Sequence, residues 1–358
     1  MHDRSRWGRV IVATITAGAV LLTPGRQPPP TRAGAAPCAT AASGETLLFT
    51  SRAAGAAGAA GAADLTLFAA DPARPFAPRA LVRALPDFAA VAPSPRGRYI
   101  ALTEGARGLW LVNSDGTDPR RLLPAPPPAP GPTGTYYINA VAWSPDRYTL
   151  AYAVTQPIGY PRYPAPPRAA PDGIWLVRYD GRSPRLLASN ARLGVDGIGR
   201  LSYAADGRTL IAVAGQGRGA DNLAVDAATG RATALPGAAG AADDVQASPV
   251  APRLAYLAVV DVPVPGQPNT EDADEGLYVA DPDGHRRAEL AQTTLATDIR
   301  DPVWSPDGRS VAYIWGGSPD QALKEIHAVD VATRRVRTLV RKPPRQEFMS
   351  LAWMHCRV

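Results

Sequence analysis

The feature that most constrains this chain is the stretch Val303–Tyr313, VWSPDGRSVAY, followed about a dozen residues later by EIHAVDVATRRVRTL. It reads as one strand, a tight turn, a second strand, a variable loop and two further strands. Pro306 presets φ for the first central turn position, Asp307 can hydrogen-bond its own backbone, and Gly308 tolerates positive φ. Val311 and Tyr313 belong to an apolar run of strand length. Ile326, Ala328 and Val329 supply a third strand, and Val336–Val340 a fourth. A four-stranded sheet of this kind has two open edges and is weak alone, so repetition around a ring is the expected solution.

The pattern recurs. Aligned on Trp304, further copies begin at Ala90, Ala140, Arg200 and Val245, and a half-copy precedes them from Glu45 to Arg83. The turn Ser repeats at Ser94, Ser144, Ser248 and Ser305, with Ala204 in its place in the fourth copy. A period of about 44–60 residues suits propeller blades with loop insertions. The half-copy offers Thr46–Thr50, Leu65–Ala70 and Arg79–Val82 as second, third and fourth strands, but no first. The last residues, Met349–Trp353 (MSLAW), match the first-strand pattern AVAW of Ala140–Trp143. The expectation is therefore an all-β, six-bladed β-propeller of four-stranded antiparallel blades. Its C-terminal strand joins the N-terminal half-blade and removes the open edges.

The WSPDG turn with its following apolar strand, and the DG- or DxxTG-type turn after the third strand, resemble the TolB-type six-bladed β-propeller repeat family of periplasmic and secreted proteins. The resemblance spans Glu45–Trp353. It implies a binding scaffold and specifies no reaction, because the motif residues build turns and core.

Residues 1–35 read as a secretory signal. Arg4, Arg6 and Arg9 precede an apolar run from Val10 to Leu22, and Ala33-Gly34-Ala35 offers a small-x-small cleavage site. The run is too short for a membrane span. A short lead over 36–44 then enters a single propeller domain over 45–358, with no membrane span once the signal is removed. The signal also changes the charge argument. The chain carries a formal +6, but residues 1–35 hold five arginines and one aspartate, leaving +2 on the remainder. No Lys/Arg cluster is interleaved with stacking aromatics, so nucleic acid is not an expected partner.

Strand direction sorts the connections onto two faces. Turns between strands one and two, and between three and four, share one face. The other holds the inter-blade loops and the loops between strands two and three, including Thr155–Asp172 and Asp261–Glu275. Long loops on a rigid scaffold commonly carry binding. Tyr160, Arg162, Tyr163 and Arg168, set among prolines, form either a contact surface or a loop packed over its own blade. Asp261, Glu271, Asp272, Asp274 and Glu275 form a solvated acidic loop, or a candidate Ca²⁺ loop that departs from EF-hand spacing. Arg300 joins the candidate ligand-binding residues from the innermost strands, which also offer Asn139, Arg200, Gln246, Asp301 and Ser350.

The aspartates Asp115, Asp146, Asp206, Asp283 and Asp307 are read as turn builders rather than acids. No two of His285, His327 and His355 stand at metal-ligand spacing, and no GxSxG elbow is found. No catalytic residue and no cofactor are assigned. The leading expectation is a secreted or periplasmic, non-enzymatic, monomeric scaffold for a protein or cell-envelope partner. The alternative is a polysaccharide lyase or glycoside hydrolase with its site in the central channel. Cys38 and Cys356, at opposite ends of the processed chain, are expected to meet as a disulfide if the ring closes as inferred. Lipidation of Cys38, or two free thiols, are the competing outcomes.

Overall fold

The computed structural model describes residues 44–53, 65–74, 77–85, 90–104, 108–124, 136–155, 172–214, 221–238, 244–263, 271–293, 297–317, 323–341 and 346–356. Residues 1–43, with the signal segment and Cys38, lie outside these, as do Tyr160, Arg162, Tyr163, Arg168 and the glycine-rich 215–219.

Six four-stranded antiparallel sheets form. Blade one holds β1 (Glu45–Ala53), β2 (Leu65–Ala70) and β3 (Arg79–Leu85). Blade two holds β4 (Val91–Pro93), β5 (Tyr99–Thr103), β6 (Leu109–Asn113) and β7 (Arg120–Leu123). Blade three holds β8 (Tyr137–Trp143), β9 (Thr149–Thr155), β10 (Gly173–Arg178) and β11 (Arg185–Ser189). A short helix, α1 (Asn190–Leu193), capped by Ser189, leads into blade four: β12 (Ile198–Tyr203), β13 (Thr209–Ala214), β14 (Asp221–Asp226) and β15 (Ala232–Ala234). Blade five holds β16 (Gln246–Ala247), β17 (Leu254–Pro263), β18 (Glu271–Ala280) and β19 (Ala288–Gln292). Blade six holds β20 (Thr297–Trp304), β21 (Ser310–Gly317), β22 (Leu323–Asp330) and β23 (Val336–Arg341). The last strand, β24 (Gln346–His355), pairs antiparallel with β1 from Glu45↔His355 to Ala53↔Gln346. The C-terminus thus supplies blade one's innermost strand, as the MSLAW match implies.

The core is distributed between blades. Leu47, Phe49 and Trp353 of blade one pack with Ile314, Ile326 and Val340 of blade six. On the other side Leu48, Leu65 and Leu67 meet Ile100, Leu102 and Val112 of blade two. The four remaining junctions carry equivalent clusters. Apolar residues on both strand faces are thereby used, which explains runs such as TLAYAVT and SVAYIW. The tryptophan ending an innermost strand leans on the preceding blade. Trp143 Nε1 donates to Ala92 O at 2.9 Å, and Trp304 Nε1 to Gln246 O at 3.2 Å.

The repeated turn residues do what their chemistry suggests. Ser94, Ser144 and Ser305 are buried, and their hydroxyls accept backbone N–H groups across the turn. Asp146 and Asp206 each accept from two N–H groups and a threonine hydroxyl. Asp115, Asp283 and Asp307 accept local N–H groups likewise. The glycine after the third strand has a second reason to be glycine. At Gly116 and Gly230, both at positive φ, a Cβ would stand 2.5 Å from Leu81 O and 2.2 Å from Leu187 O of the preceding blade.

One expectation is corrected. Asp261–Glu275 is not a loop throughout, because β17 and β18 extend into it as a hairpin with Asp261↔Ala273, Val262↔Asp272 and Pro263↔Glu271 in register. Alternation in VVDVP is compatible with a strand, and density of carboxylates alone misled the reading. Asp261, Glu271, Asp272, Asp274 and Glu275 therefore stand on paired strands.

Candidate functional site

The six innermost strands enclose a central channel with a cavity of about 1210 Å³. Its wall is irregular at one level. The ladders skip one residue between Ile138 and Ala140 and between Ile198 and Arg200, and two between Arg300 and Val303, and β24 shifts register beside Thr50/Ser51. Bulges re-aim side chains that a regular pleat would send elsewhere. Asn139, Arg200, Asp301 and Ser350 sit at these irregularities and line the cavity.

Asp301 is the centre of this level. It has φ +55° and its side chain is 7% exposed. Its carboxylate accepts from Arg200 Nη2 of blade four and from the N–H of Leu351 on β24. Its own N–H donates to Asp244 Oδ2 at 3.0 Å. Asp244, on the lead into blade five, also pairs with Arg200 Nε at 3.0 Å. One ion-pair network thus joins the inner strands of blades four, five, six and one. Removing one member of a buried pair leaves the others uncompensated. Asp301→Asn, which tolerates the left-handed backbone, is expected to cost about 2–3 kcal/mol because a charge-assisted acceptor is lost. Reversible denaturation checks this, and a change within experimental error would mean the network carries no stability.

A second cluster stands beside the first. Arg300, exposed on β20, pairs with Asp298 through Nε at 2.6 Å. Burial, together with the neighbouring Asp298 and Asp244 carboxylates, pushes the Glu275 carboxyl up to about 7, against the opposing pull of Arg300. The folded state therefore holds this proton above the pH at which the unfolded chain releases it. Stability from neutral Glu275 is fully present below about pH 4.5 and is lost as pH rises through about 7. Melting temperatures should fall between pH 5 and pH 8, and Glu275→Gln should flatten that fall. An identical slope in both proteins would contradict the cluster.

The sequence singled out Arg200, Arg300 and Asp301, and the structure brings Arg200 and Asp301 together. Asp244, Glu275 and Asp298 were missed as partners. Asp244 follows an Ala/Gly tract, and only its position just before a first strand marks it. Asn139, Gln246 and Ser350, the last 2.7 Å from Thr50 Oγ1, add hydrogen-bonding groups to the lining, and Arg96, Arg147, Asp307 and His355 line the cavity outside this network. Among the described residues no group of three or more His, Cys, Asp or Glu is arranged to hold a metal ion. Among them also, no helix is long and apolar enough to cross a membrane.

No family model and no curated protein matches the chain. Solved structures do. TolB from Acinetobacter baumannii aligns with a TM-score of 0.59 at 16% identity, covering 86% of this chain; this chain spans 66% of that one. A chain described as TolB from Agrobacterium tumefaciens gives 0.52 at 15% identity, covering 88% of this chain and 98% of that one. A chain of a nidogen/laminin complex gives 0.54 at 10% identity, covering 86% and 98%. The fold is a TolB-like six-bladed propeller.

Proposed function

We infer that this protein is a secreted or periplasmic, non-enzymatic binding scaffold for a protein or cell-envelope partner. Residues 1–35 are its export signal, 36–44 a short lead, and 45–358 the single functional domain. The observation that carries the reading is the use to which the channel's charges are put. Arg200, Asp244 and Asp301 are spent on joining blades, which favours a rigid ring over a reacting centre. The similar chain from a complex of two proteins is in keeping with it.

The partner-binding residues are proposed on the long-loop face: Tyr160, Arg162, Tyr163 and Arg168, with Arg300, exposed on β20, as a further contact. Tyr and Arg are frequent energetic anchors of interfaces. Crosslinking and pulldown from the native envelope, comparing the wild type with a protein whose 155–172 loop is cut to a tight turn, tests this. The partner should be lost while the melting temperature stays nearly unchanged, because the loop is an insertion on the blade template. Unchanged capture would place the site elsewhere. Cleavage of a polysaccharide panel by the purified protein would replace the scaffold reading with that of a carbohydrate-active enzyme.

A further inference from the structure

The opposite end of the channel, where the turns between first and second strands converge, is polarised. Arg96 and Arg147 line it from blades two and three, and Asp307 from blade six. Both arginines are exposed, as is Arg98 beside them. Among the described residues, none of the three makes an ion pair. On the neighbouring turns, Asp146 accepts from Tyr148 N–H, Thr149 N–H and the Thr149 hydroxyl, and Asp180 from Arg182 N–H at 3.1 Å with Arg178 Nε at 3.6 Å. On blade six the balance differs, since Arg309 lies 3.8 Å from Asp307.

Arg147 carries a second signal. It occupies the turn position held by Gly97, Gly207 and Gly308 in sister blades, at φ 66°, 66° and 69°. Arg147 adopts φ 70° there, a left-handed conformation unfavourable for a residue with a Cβ. The turn imposes this φ, as the sister glycines show, and here it is an arginine that bears it. Around it lies an aromatic platform. Tyr148 is 57% exposed, with its ring 6.2 Å from that of Tyr179, which stacks at 6.1 Å on Tyr99. Arg98 covers the Tyr99 ring at 5.1 Å. The mouth beneath is apolar, formed by Pro95, Pro145, Pro249, Tyr203 and Val250, the last 54% exposed.

We propose that this turn-face mouth on blades two and three binds an acidic protein segment carrying an apolar anchor. Its carboxylates meet Arg96, Arg98 and Arg147, and the anchor enters the proline-lined mouth beside Tyr148. Charge complementarity selects an anion, and the apolar mouth selects a peptide over an anionic polysaccharide, which brings no apolar side chain to bury. The site lies on the face opposite the long loops and is independent of them.

The test is fluorescence anisotropy with the full protein and labelled synthetic peptides: one of Asp and Glu flanking a central Phe, one with Lys in place of the acids. Arg96→Ala/Arg147→Gly removes two charges, and the glycine relieves the left-handed backbone, so folding is retained. The acidic peptide should bind saturably, at least ~10-fold more weakly to the double variant and in raised salt. Arg309→Ala and the shortened 155–172 loop should leave binding unchanged, which separates this site from the loop-face reading. Absence of saturable binding, equal binding by the double variant, or equal binding of the Lys peptide would overturn the proposal. Polygalacturonate that binds as tightly and loses affinity in the same variant would also overturn it, in favour of a glycan.

Discussion

Reducing the protein, or replacing Cys356 by Ser, is expected to lower its stability by up to about 5–6 kcal/mol, the chain-entropy figure for a covalent loop of about 320 residues. The argument starts from ring closure. Because β24 runs antiparallel to β1, its end meets the beginning of the propeller: Cys356 N–H donates to Gly44 O at 2.7 Å. Cys356 is 6% exposed, its Sγ 3.3 Å from Thr46 Oγ1. Cys38 precedes Gly44 by six residues, a stretch that spans at most about 20 Å. The proposed Cys38–Cys356 bond would close the ring covalently where β24 closes it by hydrogen bonds. Thiol titration of the denatured, unreduced protein decides the bond's existence, and two titrating thiols would remove it. Denaturation with and without reductant then measures its worth. Native-state strain or residual unfolded-state structure brings such values below the entropic figure.

Trp304→Ala should cost about 3–5 kcal/mol. Trp304 is 6% exposed and packs with Leu257, Leu277, Val279 and Ile299, so truncation opens a cavity at the junction of blades five and six. It also strands the Gln246 carbonyl, which accepts the indole N–H at 3.2 Å. Trp304→Phe separates the two contributions, since it keeps most of the packing and removes only a hydrogen bond worth about 1 kcal/mol. A loss below about 1 kcal/mol for the alanine variant would contradict the inter-blade position of this ring.

Turn chemistry and strand period are local, and both were legible. Ser-Pro-Asp-Gly followed by an apolar run specifies a strand–turn–strand in any context, because the serine, the aspartate and the positive-φ position are satisfied within a few residues. Five full copies and a half then require a ring, and MSLAW standing at the far end of the chain shows how the ring closes. Local signals failed where they were read as composition. Asp261–Glu275 looked like an acidic loop, yet cross-strand pairing extends the blade-five hairpin into it.

The charge network belongs to another class. Arg200, Asp244 and Asp301 are distant in sequence and meet only because three blades turn their inner strands to one axis, with bulges setting the height at which each side chain projects. The polarity of the turn-face mouth arises similarly. The sequence contains Arg96 and Arg147 among many arginines, but which of them stand unpaired is decided by where the fold brings a carboxylate within reach, as it does for Arg178 and Arg309. The sequence by itself determined the architecture, since hydrogen bonds within a turn and the two-residue strand period are properties of short segments. Only the tertiary structure decided which charges neutralise one another and which are left facing the channel mouth, because Coulomb energy depends on distances between blades that no spacing along the chain encodes.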